Sequence, residues 1–341
     1  MPLPSISVLI PTLNAGGVLE GCLNSISEQV YPKELLEIII ADGGSTDNTI
    51  EIGKKYGAKI FENKLKTGES GKAVALRNSL HEVVAFIDSD NILPDRDWLF
   101  RMVKPLVDDP TISVSEPIEF TLRNSDGFIT RYCALVGAND PLVLFLGNYD
   151  RFNFLSGKWT GVNVGKQEDK GNYIVLNLTS LVLPTIGANG TLMRREFVGK
   201  VSPGTYLFDI DLISKAIQQG HSVKVAKVKV GIIHLYCGSS IRLFMKKQSR
   251  RILDFTHHQK QGTRVYSWHK QNRFGLLRFG LYSLLVIPTV GQSLFGYLKK
   301  KDSAWFFHPL ACWLTLIVYF FGVIKSLFSA KEANRDNWSQ G

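Results

Sequence analysis

Glu82-Val83-Val84-Ala85-Phe86-Ile87-Asp88-Ser89-Asp90-Asn91 is the stretch from which the rest of the chain is read. Its first six residues are mostly β-branched and aromatic, the pattern of a buried strand. Asp88 and Asp90 then leave the strand end together. In extended backbone alternate side chains point the same way, so both carboxylates can converge on one site. Such a pair at the carboxyl end of a parallel strand suits a hard divalent ion that also binds phosphate oxygens. Taken alone, Asp-Ser-Asp-Asn is ordinary turn chemistry. The flanking sequence decides between the two.

Upstream, strands and helices alternate. Ile6–Ile10 is a first strand, closed by Pro11-Thr12-Leu13-Asn14, and Val18–Gln29 has helical spacing with Leu19, Cys22, Leu23 and Ile26 on one face. Leu36–Ala41 is a second buried strand ending in Asp42-Gly43-Gly44-Ser45-Thr46-Asp47, where Thr46 or Asp47 can cap a helix running through Lys55. Lys59–Phe61 is a short strand, and Lys72–Leu80 is helical. This alternation predicts an α/β fold with a mostly parallel, doubly wound sheet.

Four motifs in this order, Ser7–Asn14, Asp42–Thr49, Ala75–Asn78 and Asp88-Ser89-Asp90, resemble the successive signatures of family 2 glycosyltransferases. The resemblance covers roughly residues 5 to 255 and implies the GT-A fold. It implies that Pro11, Thr12 and Asn14 line a nucleobase pocket and that Asp42 accepts a hydrogen bond from the base. Lys72 and Arg77 would approach the diphosphate. Asp88 would bind the ribose or the ion, and Asp90 the Mg²⁺ or Mn²⁺ bridging the diphosphate. A cation opposite a leaving diphosphate stabilises the charge that grows as the glycosidic bond breaks.

The second half carries the acceptor side. Thr111–Phe120 reads as a strand pair, and Arg131–Asp150 as a core helix pair or an insertion lining an acceptor groove. Gly187-Ala188-Asn189-Gly190, followed by a helix with Arg194 and Arg195, resembles the family's acceptor-side loop, in which small residues admit a sugar closely. Leu207-Phe208-Asp209-Ile210-Asp211-Leu212 resembles the Glu-Asp-x-Asp-Leu element, with Phe208 where Glu is usual. By that resemblance Asp209, or else Asp211, is the general base on an acceptor hydroxyl, and transfer inverts the anomeric carbon. His234, closing a strand that begins at Val223, resembles a post-strand histidine that joins the metal site in some members.

Ser239–Phe255 interleaves Arg242, Lys246, Lys247, Arg250 and Arg251 with apolar residues. Such a basic amphipathic segment suits an anionic membrane surface or a phosphate-bearing acceptor. Gln248-Ser249-Arg250-Arg251-Ile252 is close to the Gln-x-x-Arg-Trp element of processive synthases. Ile252 stands in place of Trp, which favours one sugar per acceptor. Phe279–Leu298 and Ala304–Ile324 are uncharged runs long enough to cross a hydrocarbon core of about 30 Å. Arg264, His269, Lys270, Arg273 and Arg278 precede them and Lys325 and Lys331 follow, which keeps the catalytic part cytoplasmic. Lys299-Lys300-Lys301 between the runs conflicts with two full crossings and leaves a hairpin open.

The formal charge of +10 attracts polyanions, and four scattered cysteines argue against a disulfide framework and a zinc site. No signal peptide is visible at Met1–Ser5. The expected domains are a catalytic 1–238 (nucleotide half to about 120), an interfacial 239–273, membrane helices or a hairpin over 274–328, and a polar tail 329–341. The expected partners are a uridine-linked nucleotide-sugar donor, a lipid or polyprenyl-phosphate acceptor, and membrane lipids, with no nucleic acid. A nucleotidyltransferase and a membrane-tethered nucleic-acid binder are the rival readings. The first lacks its basic glycine-rich loop at Asn14–Gly17, and the second any known module.

Overall fold

The first strand, β1 (Ile6–Thr12), is buried at every position, as the central strand of a sheet covered on both faces must be. The computed structural model describes residues 2–201, 204–266, 272–328 and 335. The chain divides into two units. One comprises Met1–Ile118 and Val164–His234; the other comprises Glu119–Asn163 and Leu235–Asn334.

In the first unit β1 leads to α1 (Gly16–Ser27), whose buried Leu19, Cys22, Leu23 and Ile26 are the predicted apolar face. Then come β2 (Leu36–Asp42), α2 (Thr49–Lys55), β3 (Lys59–Glu62), α3 (Gly68–Arg77) and β4 (Val83–Phe86). The N-cap of α2 is Asn48 rather than Thr46 or Asp47, and its side chain makes no capping bond; Asp47 Oδ1, one residue earlier, accepts from the Thr49 amide. Helix α3 begins earlier than its pattern predicted, because Thr67 accepts from the Ser70 amide. β5 (Asn91–Ile92), α4 (Trp98–Asp108) and β6 (Val114–Phe120) follow. The segment expected to form a strand pair is one strand, β6, preceded by a turn.

The parallel part of the sheet runs β3-β2-β1-β4, with Thr12 paired to Asp42 and Leu9 to Phe86. Parallel register delivers Asn14, Asp42 and Asp88 to the same end of the sheet. β1 has its neighbours on either side, so this end is the switch point at which open α/β sheets bind ligands.

The fifth helix, α5 (Phe128–Val136), and α6 (Leu142–Leu146) belong to the second unit. The chain then returns to the sheet through β7 (Gln167–Asp169), β8 (Tyr173–Leu178), β9 (Thr191–Arg194), α7 (Arg195–Val201), α8 (Asp209–Gln218) and β10 (Val223–His234). β9 pairs antiparallel with β4 and β6, β10 with β8 and β5, and β7 with β8. The sheet is thus mixed: a parallel nucleotide half joined to antiparallel strands. A strand lies between the glycine loop and the helix where a direct loop-to-helix step was expected.

The second unit continues with α9 (Ile241–Lys260), α10 (Arg273–Leu285), α11 (Ile287–Lys299), a 3₁₀ turn at Ser303–Phe307 and α12 (His308–Phe328). The first apolar run is not one straight helix. It breaks at Val286, whose φ is 61°, and α10 and α11 meet at 96°. Pro288 follows directly, where no amide donor is required. Among the described residues, Ser303–Phe328 is the one unbroken helix long and apolar enough to cross a membrane. His269, Lys270, Lys331 and nearly all of the predicted polar tail lie outside the described residues.

Candidate active site

The predicted base-binding end is closely tied by hydrogen bonds. The Asp42 carboxylate accepts from Thr12 Oγ1, the amides of Gly44 and Ser45 at 2.8 Å each, and Ser45 Oγ at 2.5 Å. Two donors on each oxygen fill its acceptor capacity, so a base N–H would have to replace one of them. Asn14 has a left-handed φ of 48°. Its amide donates to Ser45 Oγ and its Oδ1 accepts from the Thr46 amide, both at 2.8 Å. Thus Thr12, Asn14 and Asp42 are brought together. Pro11 is buried and packs under α3, where a Cβ on Gly71 would come within 2.7 Å of its own.

The two aspartates that decided the sequence reading take different partners. The side chains of Asp90 and His234 are buried, with Nε2 to Oδ1 at 3.3 Å, because antiparallel pairing of β10 with β5 sets His234 opposite Asn91. Asp88 turns toward Lys72, at 3.6 Å, and its amide donates to Asn91 Oδ1. Among the described residues no group of three or more His, Cys, Asp or Glu side chains is placed to hold a metal ion alone. A carboxylate oxygen and an imidazole nitrogen side by side still fit a divalent cation that takes its other ligands from water and substrate phosphate.

Lys72 is the centre of the site. Its ammonium lies 2.8 Å from Asp209 Oδ2 as well as 3.6 Å from Asp88 Oδ1. Burial opposes its charge, but the two carboxylates outweigh that and hold its pKa above the ordinary lysine value. Asp209, first residue of α8, is pushed up to about 6 by burial, against the pull of Lys72. Its Oδ1 is buried and has no hydrogen-bond partner. A carboxylate with one oxygen anchored and the other uncommitted, titrating near neutrality, has the properties of a general base. Asp211 is buried one helical step further on, its amide bonded to the Phe208 carbonyl. Arg77 is not brought to this cluster: it is exposed at the end of α3, and its guanidinium donates to the Gly204 carbonyl.

The loop before β9 packs against Asp209. Gly187 has φ 128°, and a Cβ there would lie 2.6 Å from Asp209 Cβ. Asn189 Oδ1 accepts from Asn91 Nδ2 at 3.1 Å, and the Gly190 amide donates to the Phe86 carbonyl at 2.8 Å. Asn189 and Gly190 are therefore fixed to the segment that carries Asp88 and Asp90.

Sequence reasoning missed the pair that holds this loop. Glu116 on β6 accepts from the Gly187 amide and from Thr191 Oγ1, each at 3.0 Å, and its other oxygen takes Lys227 Nζ of β10 at 2.7 Å. Both side chains are fully buried. The one available signal was an acid and a lysine inside apolar strands, and neither reveals its partner 111 residues away.

Lys247, Arg250 and Arg251 belong to the other unit. The basic amphipathic segment forms a helix, but Lys247 and Arg251, two of the three cations expected to contact an acceptor or phosphate, are engaged by groups of their own unit. Lys247 is buried, donating to the Tyr236 carbonyl with its ammonium 4.5 Å from that ring. Arg251 donates to the Asn139 carbonyl and Gln248 Oε1 and lies 3.6 Å from Asp140. These partners, contributed from distant segments, draw the cations in. Arg250 is half-buried, and Arg242 and Lys246 are exposed.

Residues 7–167 match the profile of Glycosyl transferase family 2. By that match, residues 7–167 form a family 2 glycosyltransferase domain. Glycosyltransferase AglE of Haloferax volcanii is 29% identical over 136 residues, which cover 38% of this chain and 44% of that protein. Poly(ribitol-phosphate) beta-N-acetylglucosaminyltransferase TarS of Staphylococcus aureus is 36% identical over 93 residues, 26% of this chain and 16% of the relative. The matched segments thus span less than half the length of these relatives. Among solved structures, the mannosyltransferase PcManGT of Pyrobaculum calidifontis, in complex with GDP-Man and Mn²⁺, superposes with a TM-score of 0.55 at 17% identity. That superposition covers 97% of this chain and 89% of that one. The shared architecture is the GT-A fold.

Proposed function

We propose that this family 2 domain transfers a sugar from a nucleotide-sugar donor to a lipid-linked or polyprenyl-phosphate acceptor at a membrane. The donor is uridine-linked, and the anomeric carbon is inverted. The observation that carries the reading is the array Asp88–Lys72–Asp209, with the unpartnered Oδ1 of Asp209 at its acceptor end. Thr12, Asn14 and Asp42 hold the base, and Lys72 presents positive charge to the diphosphate. Asp90 and His234 would hold a Mg²⁺ or Mn²⁺ ion, with Asp88 as the further ligand that the family resemblance assigns; the ion would supply countercharge to the leaving nucleotide. Asp209 takes the proton of an acceptor hydroxyl, a poor nucleophile until that proton has somewhere to go. Asn189 and Gly190 border the sugar. Attack opposite the departing nucleotide, with one base and no protein nucleophile, inverts the centre. Asp211 is the reserve candidate for the base.

The donor is tested by hydrolysis across uridine and guanosine sugar nucleotides, with Mn²⁺ and with chelator. Turnover of a uridine sugar dependent on the cation is expected. Guanosine-only turnover overturns the nucleotide assignment, and full turnover in chelator overturns the metal assignment. The acceptor is tested by supplying the preferred donor with a polyprenyl phosphate or a lipid-linked sugar. A water-soluble acceptor used at equal efficiency overturns the lipid reading. The basic helix α9 and the apolar helices after it support a site at the membrane.

A further inference from the structure

We propose that the second unit is a one-sided membrane platform: α10 and α11 dip into one leaflet and return, and α12 lies along the surface without crossing. The inference deepens the membrane part of the preceding reading and is independent of its chemistry.

Both ends of the bent pair are tied to one stretch of chain. At the start of α10, Asn272 Nδ2 donates to the Leu146 carbonyl and Arg278 Nη2 to that of Phe145. At the end of α11, Lys299 Nζ donates to the Leu155 carbonyl at 2.7 Å, and the Lys300 ammonium stands 5.7 Å from the Phe154 ring. The stretch from Gly147 to Gly161 is irregular, closed by bonds such as Gly161 amide to Gly147 carbonyl and Tyr149 Oη to Ser156 Oγ. Irregular backbone with exposed polar groups does not sit in hydrocarbon. The pair therefore starts and ends in the aqueous or headgroup region. Each arm has 13 residues, about 20 Å of helix. Folded at 96°, two such arms reach a depth of roughly 14 Å, about one leaflet of a ~30 Å core. The tip is apolar and open: Leu284, Leu285 and Ile287 are 68%, 63% and 80% exposed.

Helix α12 is held lengthwise on α9. Tyr319 Oη donates to Gln248, Gly322 packs against Ile252, and Lys260 donates to the Ser326 carbonyl. The contacts advance together along both helices, so the two run in parallel. α9 carries Arg242, Lys246, Lys247, Arg250, Arg251, Asp254 and Lys260. If α12 ran along the bilayer normal, the exposed Arg242, Lys246 and Lys260 would follow it into hydrocarbon, where each is strongly unfavourable. In the plane of the surface the conflict vanishes. Phe320, Phe321, Ile324, Leu327 and Phe328 face outward, while Thr315, Gly322 and Ser326 face the unit. The bilayer, rather than a second copy of the chain, is the occupant that fits, because exposed Arg242, Lys246, Lys300 and Lys325 accompany the apolar face.

The test uses the full chain in sealed membrane vesicles of one orientation. The four native cysteines are buried. Lys158→Cys reports the irregular stretch, Lys300→Cys the loop after the bent pair, and Gln261→Cys the end of the α9–α12 pair; all three positions are exposed. A membrane-impermeant maleimide is expected to label all three equally from one face. Labelling of Lys300→Cys or Gln261→Cys only from the face opposite Lys158→Cys, or only after detergent, overturns the platform. Recovery of the chain in the soluble fraction as a dimer also overturns it.

Discussion

The two units bury charge by the same rule and differ in what they leave exposed. In the first, apolar strands fill the interior and charged groups gather at the strand ends, where Lys72 stands between Asp88 and Asp209. The second has an apolar core around Phe244, Trp305 and Phe307, with Ser283, Thr289, Ser293 and His308 also buried, yet leaves large apolar side chains such as Leu284, Ile287 and Phe328 exposed. In both, buried charge persists where a partner from a distant segment meets it, as Lys227 meets Glu116 and Arg251 meets Asp140. The contrast puts the candidate catalytic groups in the first unit and the exposed apolar surface in the second.

The strongest way to break this contrast is Asp209→Asn. With a hydroxyl acceptor it is expected to lower kcat by about 10²–10⁴ while membrane recovery is unchanged. Intact transfer would mark a phosphate acceptor, already ionised, or a wrong base. The unsubstituted enzyme should lose kcat/KM below pH about 6, the value to which burial raises Asp209. The sign for stability is opposite. A carboxyl raised from 3.8 to about 6 in the folded state contributes stability that is fully present below pH about 4 and lost as pH rises through 6. Asp209→Asn should flatten both profiles, read by initial rates and by thermal unfolding across pH.

Asp90→Asn comes next, with an expected loss of about 10²–10³ in turnover and a weakened response to Mn²⁺, measured by metal titration of donor hydrolysis. Lys227→Met acts on the fold rather than the chemistry. Leaving Glu116 charged and buried without its cation should cost about 3–5 kcal/mol in denaturant unfolding. A cost below ~1 kcal/mol would mean that the pair does not hold the glycine loop. The smallest effect belongs to the second unit. Tyr319→Phe removes the donor to Asp140 and Gln248 and should destabilise by about 1–3 kcal/mol without altering donor hydrolysis.

Local pattern carried most of the first unit into view. Uniformly apolar runs became β1, β2 and β4, and the helical face of α1 was readable residue by residue. The segment around β6 was not, since a turn and one strand share the composition of two short strands. The meeting of Lys72 and Asp209 was also hidden, because periodicity says nothing about groups 137 residues apart. Arg77, on the same helix, shared Lys72's sequence signal but ends exposed. In the second unit hydropathy found the apolar runs, yet not the break at Val286, for which the neighbouring Pro288 was the sole cue.

The contact of Gly187 with Asp209 has a consequence for how acceptor choice can vary. Position 187 is closed to every other amino acid, since even a methyl group would press on the acid's own Cβ and carbonyl carbon. The loop and the start of α8 therefore behave as a single mechanical part, and moving one displaces the other. Under the proposed function, retuning of the pocket toward a bulkier or smaller sugar falls to the neighbouring Ala188, because Asn189 is itself tied to Asn91.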